Sequence, residues 1–496
     1  MRFYKIIYLV FYLLFFCTSV HTVNHYVDKN ATGNNNGTSW SNAWESFGAI
    51  QWGNVNPGDI VYVSGGTDST VYYEQLTLSD HGTADARITI RNSWDAGHNG
   101  RVIIDRVSNT GHCVYANSAE YMTVKGFELR NAKFNIHIQL ANESVIIDSC
   151  YIYDWGSFGL RVAENNNGLL NGTIIENCDF ISAKTGGDDA MLFTTVDGVI
   201  IRNNFIHIRN ASQINSHIDG MLGMVSRDFK VYNNIIILDS NTQGQAYILR
   251  LASDSGLNDS VIVYNNMFYT GGIWFSAGNP PHTSVVNLRH QDSDGVEPPT
   301  YVVHNTIISW GAWYTGTVYE TDQTTYVNNV TVQLGTGVDL GQATFWPANQ
   351  RGSDEPPVDS VRNNLIWREW ESTADQSLFT GTWHNNGTSR RNFNWSTWVN
   401  ILGGTGVNAD PLFVQTFAFT NDGGDNQGEN QKNIRGFLQS GSPAIGAGED
   451  VQALIESLDI GGWRYIGEHI EGRLGVTLGA IRPISSTPTL GAFDVE

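Results

Sequence analysis

The chain has 496 residues, 52 of them Gly and 12 Pro, and only 16% are charged. That density of turn-forming residues, in an Asn-rich text without long amphipathic helical patterns, excludes a helical protein, and the length exceeds the usual size of one globular core. With 49 acidic against 28 basic residues, the net charge of -21 excludes nucleic acid and bare polyanions as partners, because both are repelled unless a divalent cation bridges them.

Residues 1–22 read as an export signal. Arg2 and Lys5 precede an apolar stretch over residues 6–16, and small residues follow at Thr18, Ser19 and Thr22. The stretch is short for a bilayer span and no second one follows, so no stable membrane insertion is expected after the signal is removed. Residues 23–87 are expected to form an N-terminal cap and the first coils, with Trp40 and Trp44 beside a Gly-Asn loop and then the run Pro57-Gly58-Asp59-Ile60-Val61-Tyr62-Val63.

Residues 88–340 carry a repeated phrase. It begins at Met122, Val145 (VIIDSCYI), Thr173 (TIIENCDF), Val199 (VIIRNNFI), Phe229 (FKVYNNII), Val261 (VIVYNNMF) and Tyr301 (YVVHNTII). Each phrase is a β-branched run, a polar pair and a second apolar run, which predicts a strand, a bend and a strand. A unit this short cannot bury its own apolar face, so copies must stack, and the expected fold is all-β, a parallel β-solenoid. The register places Cys150, Cys178, Asn204, Asn234 and Asn266 one above another, with Ser149, Asn177, Asn203, Asn233 and Asn265 beside them. Asn tolerates the left-handed backbone of a tight bend, and its amide can bond to the copies above and below. Cys150 and Cys178 are expected in adjacent coils as buried free thiols, with a disulfide as the alternative. Residues 341–496 are expected to supply the C-terminal coils and cap. There Trp367, Trp370, Trp383, Trp395 and Trp398 read as packing that closes the end, with a sugar platform as the alternative.

The opening YVDKNATGNNNGTSWSNAWESF, the following NPGDIVYVSGG, and the closing segments Asn408-Ala409-Asp410-Pro411-Leu412-Phe413, SGSPAIGAG from Ser440, and Thr489-Leu490-Gly491-Ala492-Phe493 carry a family resemblance. With the internal coils, nearly the whole mature chain resembles secreted right-handed parallel β-helix proteins of the pectate-lyase-like superfamily. The resemblance implies a single-stranded right-handed parallel β-helix. It also implies one of several activities, since the superfamily holds lyases, hydrolases, epimerases and non-catalytic surface proteins.

Chemistry is expected where coils place polar side chains in register outside the core. Ten residues before Val199 stands Asp189, and ten before Phe229 stands Asp219, within the aligned strings Asp189-Ala190-Met191-Leu192 and Asp219-Gly220-Met221-Leu222. Stacked strands lie about 4.8 Å apart, which makes the two carboxylates near neighbours. Asp188 precedes the first, and His217 shares the face of Asp219. If Leu192 and Leu222 point inward, Asp189, Asp219 and His217 point out. Carboxylates that close repel unless one is protonated or a cation lies between them. One reading is therefore a Ca²⁺ site of Asp188, Asp189 and Asp219 that neutralises a uronate carboxylate. Another is an acid/base pair for hydrolysis, and a third is turn capping by Asp before small residues. Arg250, in the apolar run Tyr247-Ile248-Leu249-Arg250-Leu251, and His217 are the candidate bases for removing a C5 proton, with Lys184 and Arg161 in preceding strands or loops. Pectate lyases resemble this arrangement in using an Arg beside Ca²⁺-binding carboxylates. Gly187-Asp188-Asp189 is similar to the Gly-Asp-Asp motif of polygalacturonases, although no Asn-Thr-Asp, Gly-His-Gly or Arg-Ile-Lys accompanies it.

The expected function is an exported polysaccharide-active enzyme, a lyase cleaving a uronate-containing glycan by β-elimination. A glycoside hydrolase is the first alternative. The other is a non-catalytic carbohydrate-binding or cell-surface β-helix protein, whose insertions at 271–301 and 336–360 would form a binding wall.

Overall fold

The computed structural model describes residues 22–139, 144–163, 170–182, 189–208, 218–239, 246–253, 260–271, 283–290, 299–310, 314–319, 324–334, 345–347, 361–368, 377–382, 390–400, 404–413, 438–458, 460 and 488–492. The export signal, Lys184, Asp188, His217, Trp370, Trp383 and most of the two insertions lie outside these residues.

Among the described residues the strands stack into three long sheets of 12, 13 and 12 members, and successive turns of chain visit them in rotation. One coil runs through Val145–Asp148 in the first sheet, Tyr151–Tyr153 in the second and Phe158–Ala163 in the third. The next coil repeats the order with Ile174–Glu176, Asp179–Ser182 and Met191–Asp197. Every ladder between these strands is parallel except the last, where Ser377–Thr382 pairs antiparallel with Arg390–Asn394. The molecule is a parallel β-helix, right-handed as crossovers between parallel strands of one sheet are.

Stacking follows from the repeated phrases. In the first sheet Val61, Ile90, Val124, Ile147, Ile175, Ile201, Val231, Val263 and Val302 are consecutive Cα partners, and all are fully buried. β-Branched side chains suit this position because each packs on a like neighbour across the pleat.

The bend between the first and second sheets is as the sequence anticipates. Ser149, Asn177, Asn203, Asn233 and Asn265 have left-handed backbones, and the row continues through His304, Asn328 and Asn363. The next position forms an amide ladder inside the coil. Asn204 Nδ2 donates to Asn234 Oδ1, Asn234 to Asn266, Asn266 to Asn305, and Asn305 to Asn329, each at 3.0 Å. The ladder then reaches Asn364 at 3.1 Å. Each of these Oδ1 atoms also accepts the backbone N–H of the residue below, so the amide oxygens of Asn234, Asn266, Asn305, Asn329 and Asn364 bind twice. Cys150 and Cys178 occupy the same position two coils earlier as free, buried thiols. The Cys178 thiol donates to Glu176 O at 3.1 Å, and burial raises its pKa well above the ordinary value.

Both ends are closed by different means. At the start, Asn24–Val27 already pairs with Ile60–Val63 in the first sheet, and buried Trp44 stacks on His25 with centroids 5.4 Å apart. Toward the C-terminus Trp398 is buried against the core, while Trp367 and Trp395 are partly buried, consistent with packing. The closing segments lie along the flank of the coils. Asn328 exchanges two hydrogen bonds with the Glu449 backbone, and Ala492 N–H donates to Thr306 Oγ1 at 2.9 Å. Among the described residues no helix is long and apolar enough to cross a membrane.

Candidate functional site

The third sheet carries a local irregularity that decides which side chains reach the surface. In five successive coils a small or amide-bearing residue (Cys113, Asn135, Gly159, Ala190 or Gly220) is skipped in the register, and the residue after it is core. Asn135 shows why: its amide donates to Leu129 O and Tyr153 O and accepts from Ala132 N–H, holding the turn from within. At Gly159 a Cβ would lie 2.7 Å from Ala190 O, so only glycine fits. Two outer rows result, three residues apart in sequence. The first aligns His112, Phe134 and Phe158 with Asp189 and Asp219, and the second aligns Tyr115, His137, Arg161, Leu192 and Leu222, whose next Cα partner is Arg250.

This corrects one expectation. Leu192 and Leu222 are half-buried in the outer row, while Met191 and Met221 fill the core with no exposed surface. The skipped residue restores the carboxylates to a common row one coil apart, as the sequence anticipates. They are nevertheless deeply placed, with Asp189 only 4% exposed and Asp219 fully buried. Asp189 Oδ1 accepts the Asp219 backbone N–H at 2.7 Å, so this carboxylate caps the coil above. Arg250 lies one coil beyond Leu222 in Ala246–Ser253, where its Cα partners are Leu222 and Asn287. Asp188 and His217 lie outside the described residues, as does Lys184.

Ca²⁺ takes six to eight oxygens. Among the described residues no group of three or more His, Cys, Asp or Glu side chains is arranged to hold a metal, and one oxygen of Asp189 is engaged by an amide. The described residues alone do not make a Ca²⁺ cage.

Sequence reasoning missed a second cluster on the same face. His112, Tyr115, Phe134 and His137 have ring centroids 4.8–5.5 Å apart. Arg161 Nη1 lies 3.2 Å from His137 Nε2, and its guanidinium is 5.5 Å from the Phe134 centroid. Guanidinium only donates, so Nε2 accepts and the imidazole proton sits on Nδ1. That Nδ1 is buried and makes no hydrogen bond within the protein, as is Nδ1 of His112. Burial first, then the neighbouring His112 and Arg161, hold the His137 pKa at about 3. His112 is lowered for the same primary reason, with Arg106 next. A signal existed in the sequence: His112-x-x-Tyr115, Phe134-x-x-His137 and Phe158-x-x-Arg161 recur at the offset of Asp189-x-x-Leu192.

The pH dependence has a definite sign. The unfolded chain binds a proton at His137 near the ordinary value of 6.5, whereas the folded ring resists to about 3. Stability from this site is complete above the upper value and is lost as the pH falls through the window. His137→Gln should therefore flatten the decline in denaturation midpoint over that range; an unchanged slope would show that the ring is solvated.

Fold and face together define a parallel β-helix with a polar and aromatic platform running across the coils of one sheet. No protein-family model and no curated protein matches the chain. Among solved structures, it is similar to pectate lyase Pel9A, with TM-score 0.42 and 16% identity over 96% of this chain and 98% of that one. It is also similar to a rhamnogalacturonan lyase, with TM-score 0.35 and 12% identity over 79% and 91% of the respective chains. A third likeness is to the GH136 lacto-N-biosidase from Eubacterium ramulus, with TM-score 0.35 and 12% identity over 70% and 64%. At these values the likeness is one of general architecture.

Proposed function

We propose that this chain is an exported polysaccharide-active enzyme that cuts a uronate-containing glycan by β-elimination on the outer face of the third sheet. The observation that carries the reading is the platform itself. It is a double row in which aromatic rings and Arg161 lead, across Leu192 and Leu222, toward the strand of Arg250, with Asp189 and Asp219 in the neighbouring row. The apolar and aromatic members suit the faces of sugar rings, and the cationic members suit a uronate carboxylate. The N-terminal run after Arg2 and Lys5 supports export.

β-Elimination needs the uronate carboxylate neutralised, a base for the C5 proton, and release of the C4 oxygen. Arg250 or His217 is the proposed base. A cation, if Asp188 joins Asp189 and Asp219 around it, would supply neutralisation of the carboxylate. That is a separable proposal, and the proton transfer assigned to Arg250 or His217 does not depend on it.

The test is a panel of pectate, alginate, glycosaminoglycan and neutral polysaccharides, with and without EDTA, followed by ultraviolet absorbance and reducing-sugar assay. New unsaturated ends on an acidic glycan are expected, and their loss in EDTA with recovery on adding Ca²⁺ would support the cation. Reducing ends without absorbance would mean hydrolysis by the Asp pair. Silence on every substrate would leave a binding or structural protein and remove the enzymatic reading.

A further inference from the structure

We propose that Arg161, His137 and His112, with Lys133 and Arg106 around them, form a subsite for the carboxylate of an acidic sugar, three coils before Arg250. The proposal deepens the glycan-platform reading and rests on it for the identity of the ligand.

The distribution of charge is the first observation. The chain has 28 basic residues against 49 acidic ones, so a cation has no shortage of partners. Many are paired, Arg101 with Glu128, Lys125 with Asp148, Arg130 with Asp105, Arg202 with Glu176 and Arg362 with Glu449, while Lys29, Arg87 and Arg91 are met one by one by carbonyls, hydroxyls or a ring. Arg106, Lys133 and Arg161 have no carboxylate partner among the described residues, and all three act on one imidazole, that of His112. Three uncompensated cations gathered on a protein of charge -21 form a local anion-attracting field.

The second observation is unsatisfied hydrogen bonding. His137 is only 5% exposed, yet its Nδ1 has no partner in the protein, and Nδ1 of His112 is in the same condition. Buried polar atoms are rarely left so, which marks the two rings as an incompletely satisfied polar cluster directly behind Arg161. Arg161 spends one terminal nitrogen on His137, which leaves its Nε–Nη2 edge for a planar carboxylate in the two-bond geometry that guanidinium favours. Half-buried Phe134, Phe158 and Tyr115 supply rings beside it for the sugar body.

Spacing gives the ligand a minimum length. Arg161, Leu192, Leu222 and Arg250 are successive register partners, so the Cα positions of the two arginines are three strand spacings apart, roughly 14 Å. A single uronate cannot reach both, so occupancy of the whole platform requires an oligosaccharide.

The test is calorimetric binding of galacturonate, mannuronate and guluronate trimers, each beside its methyl ester, to the full chain. At least one acidic trimer should bind, with its ester about tenfold weaker or worse. Arg161→Gln should lose at least as much without a change in melting temperature, and Arg161→Lys should recover part. Exposed Lys133→Gln should give a smaller loss in a fold that it cannot disturb. Ring resonances of His137 should shift on addition of the trimer. Equal affinity for acid and ester, unaltered affinity in both Gln variants, or no binding of any trimer would overturn the subsite. A protein that binds acidic trimers but generates no new chain ends keeps the subsite and loses the enzymatic reading. One that cuts uronate chains with Arg161→Gln at wild-type KM keeps the enzymatic reading and loses the subsite.

Discussion

Arg250→Ala should lower turnover of the cleaved glycan by about 10³-fold, the size expected when a positioned proton acceptor is removed. The residue lies within a parallel strand, between Leu222 and Asn287, and the neighbouring core position is held independently by buried Leu249. Folding should therefore persist, and the melting temperature should move little. Arg250→Lys separates the possible duties. A base that acts as a point of proton transfer is partly replaced by Lys, whereas a planar two-bond clamp on a carboxylate is not. A fall in kcat with constant KM in the Ala variant would mark action in the transition state; a rise in KM alone would mark uniform binding. If Arg250→Ala retained full turnover, the base would be elsewhere, and His217→Ala would be the next variant to test.

Asn266→Ala should cost about 3–5 kcal/mol of stability, because it severs a buried ladder in the middle. The Asn266 side chain accepts from Asn234 N–H and from Asn234 Nδ2, both at 3.0 Å, and donates to Asn305 Oδ1 at 3.0 Å and Val231 O at 2.8 Å. The substitution removes these bonds, strands the Asn234 backbone N–H where water cannot reach, and leaves a cavity in the ladder, although Asn234 Nδ2 keeps Ile201 O and Tyr232 O and Asn305 Oδ1 keeps the backbone N–H of residue 266. Asn266→Asp should be worse at neutral pH, since it buries a charge and removes the donor. Chemical denaturation with both variants measures the effect; a loss under 1 kcal/mol for Ala would mean that the coils separate from one another easily at this level.

The coil was legible because its signal is local and periodic. Runs such as Val145 to Asp148 and Val261 to Tyr264 need only a neighbour's copy to be understood, and the Asn bends repeat at one offset. Stacking of Asp189 under Asp219 followed from the same alignment. Side-chain direction in the third sheet did not follow, because simple alternation fails where Ala190 and Gly220 slip the register. That slip put Met191 in the core and Leu192 outside it. The His137–Arg161 contact was missed for another reason. Its members are 24 residues apart and belong to coils without the repeated Asp, so only the full register brings them together.

The reversed strand at the end of the third sheet has a consequence for assembly. A parallel ladder offers its last edge to any strand running the same way, including one from another molecule, and an open end would let copies join into a filament. Here Arg390–Asn394 turns back against Ser377–Thr382 and brings Arg390 and Arg391 to that edge. End-to-end growth of the parallel ladder through this sheet would have to continue on a strand that runs the opposite way, so the reversed strand works as a terminator of the coil.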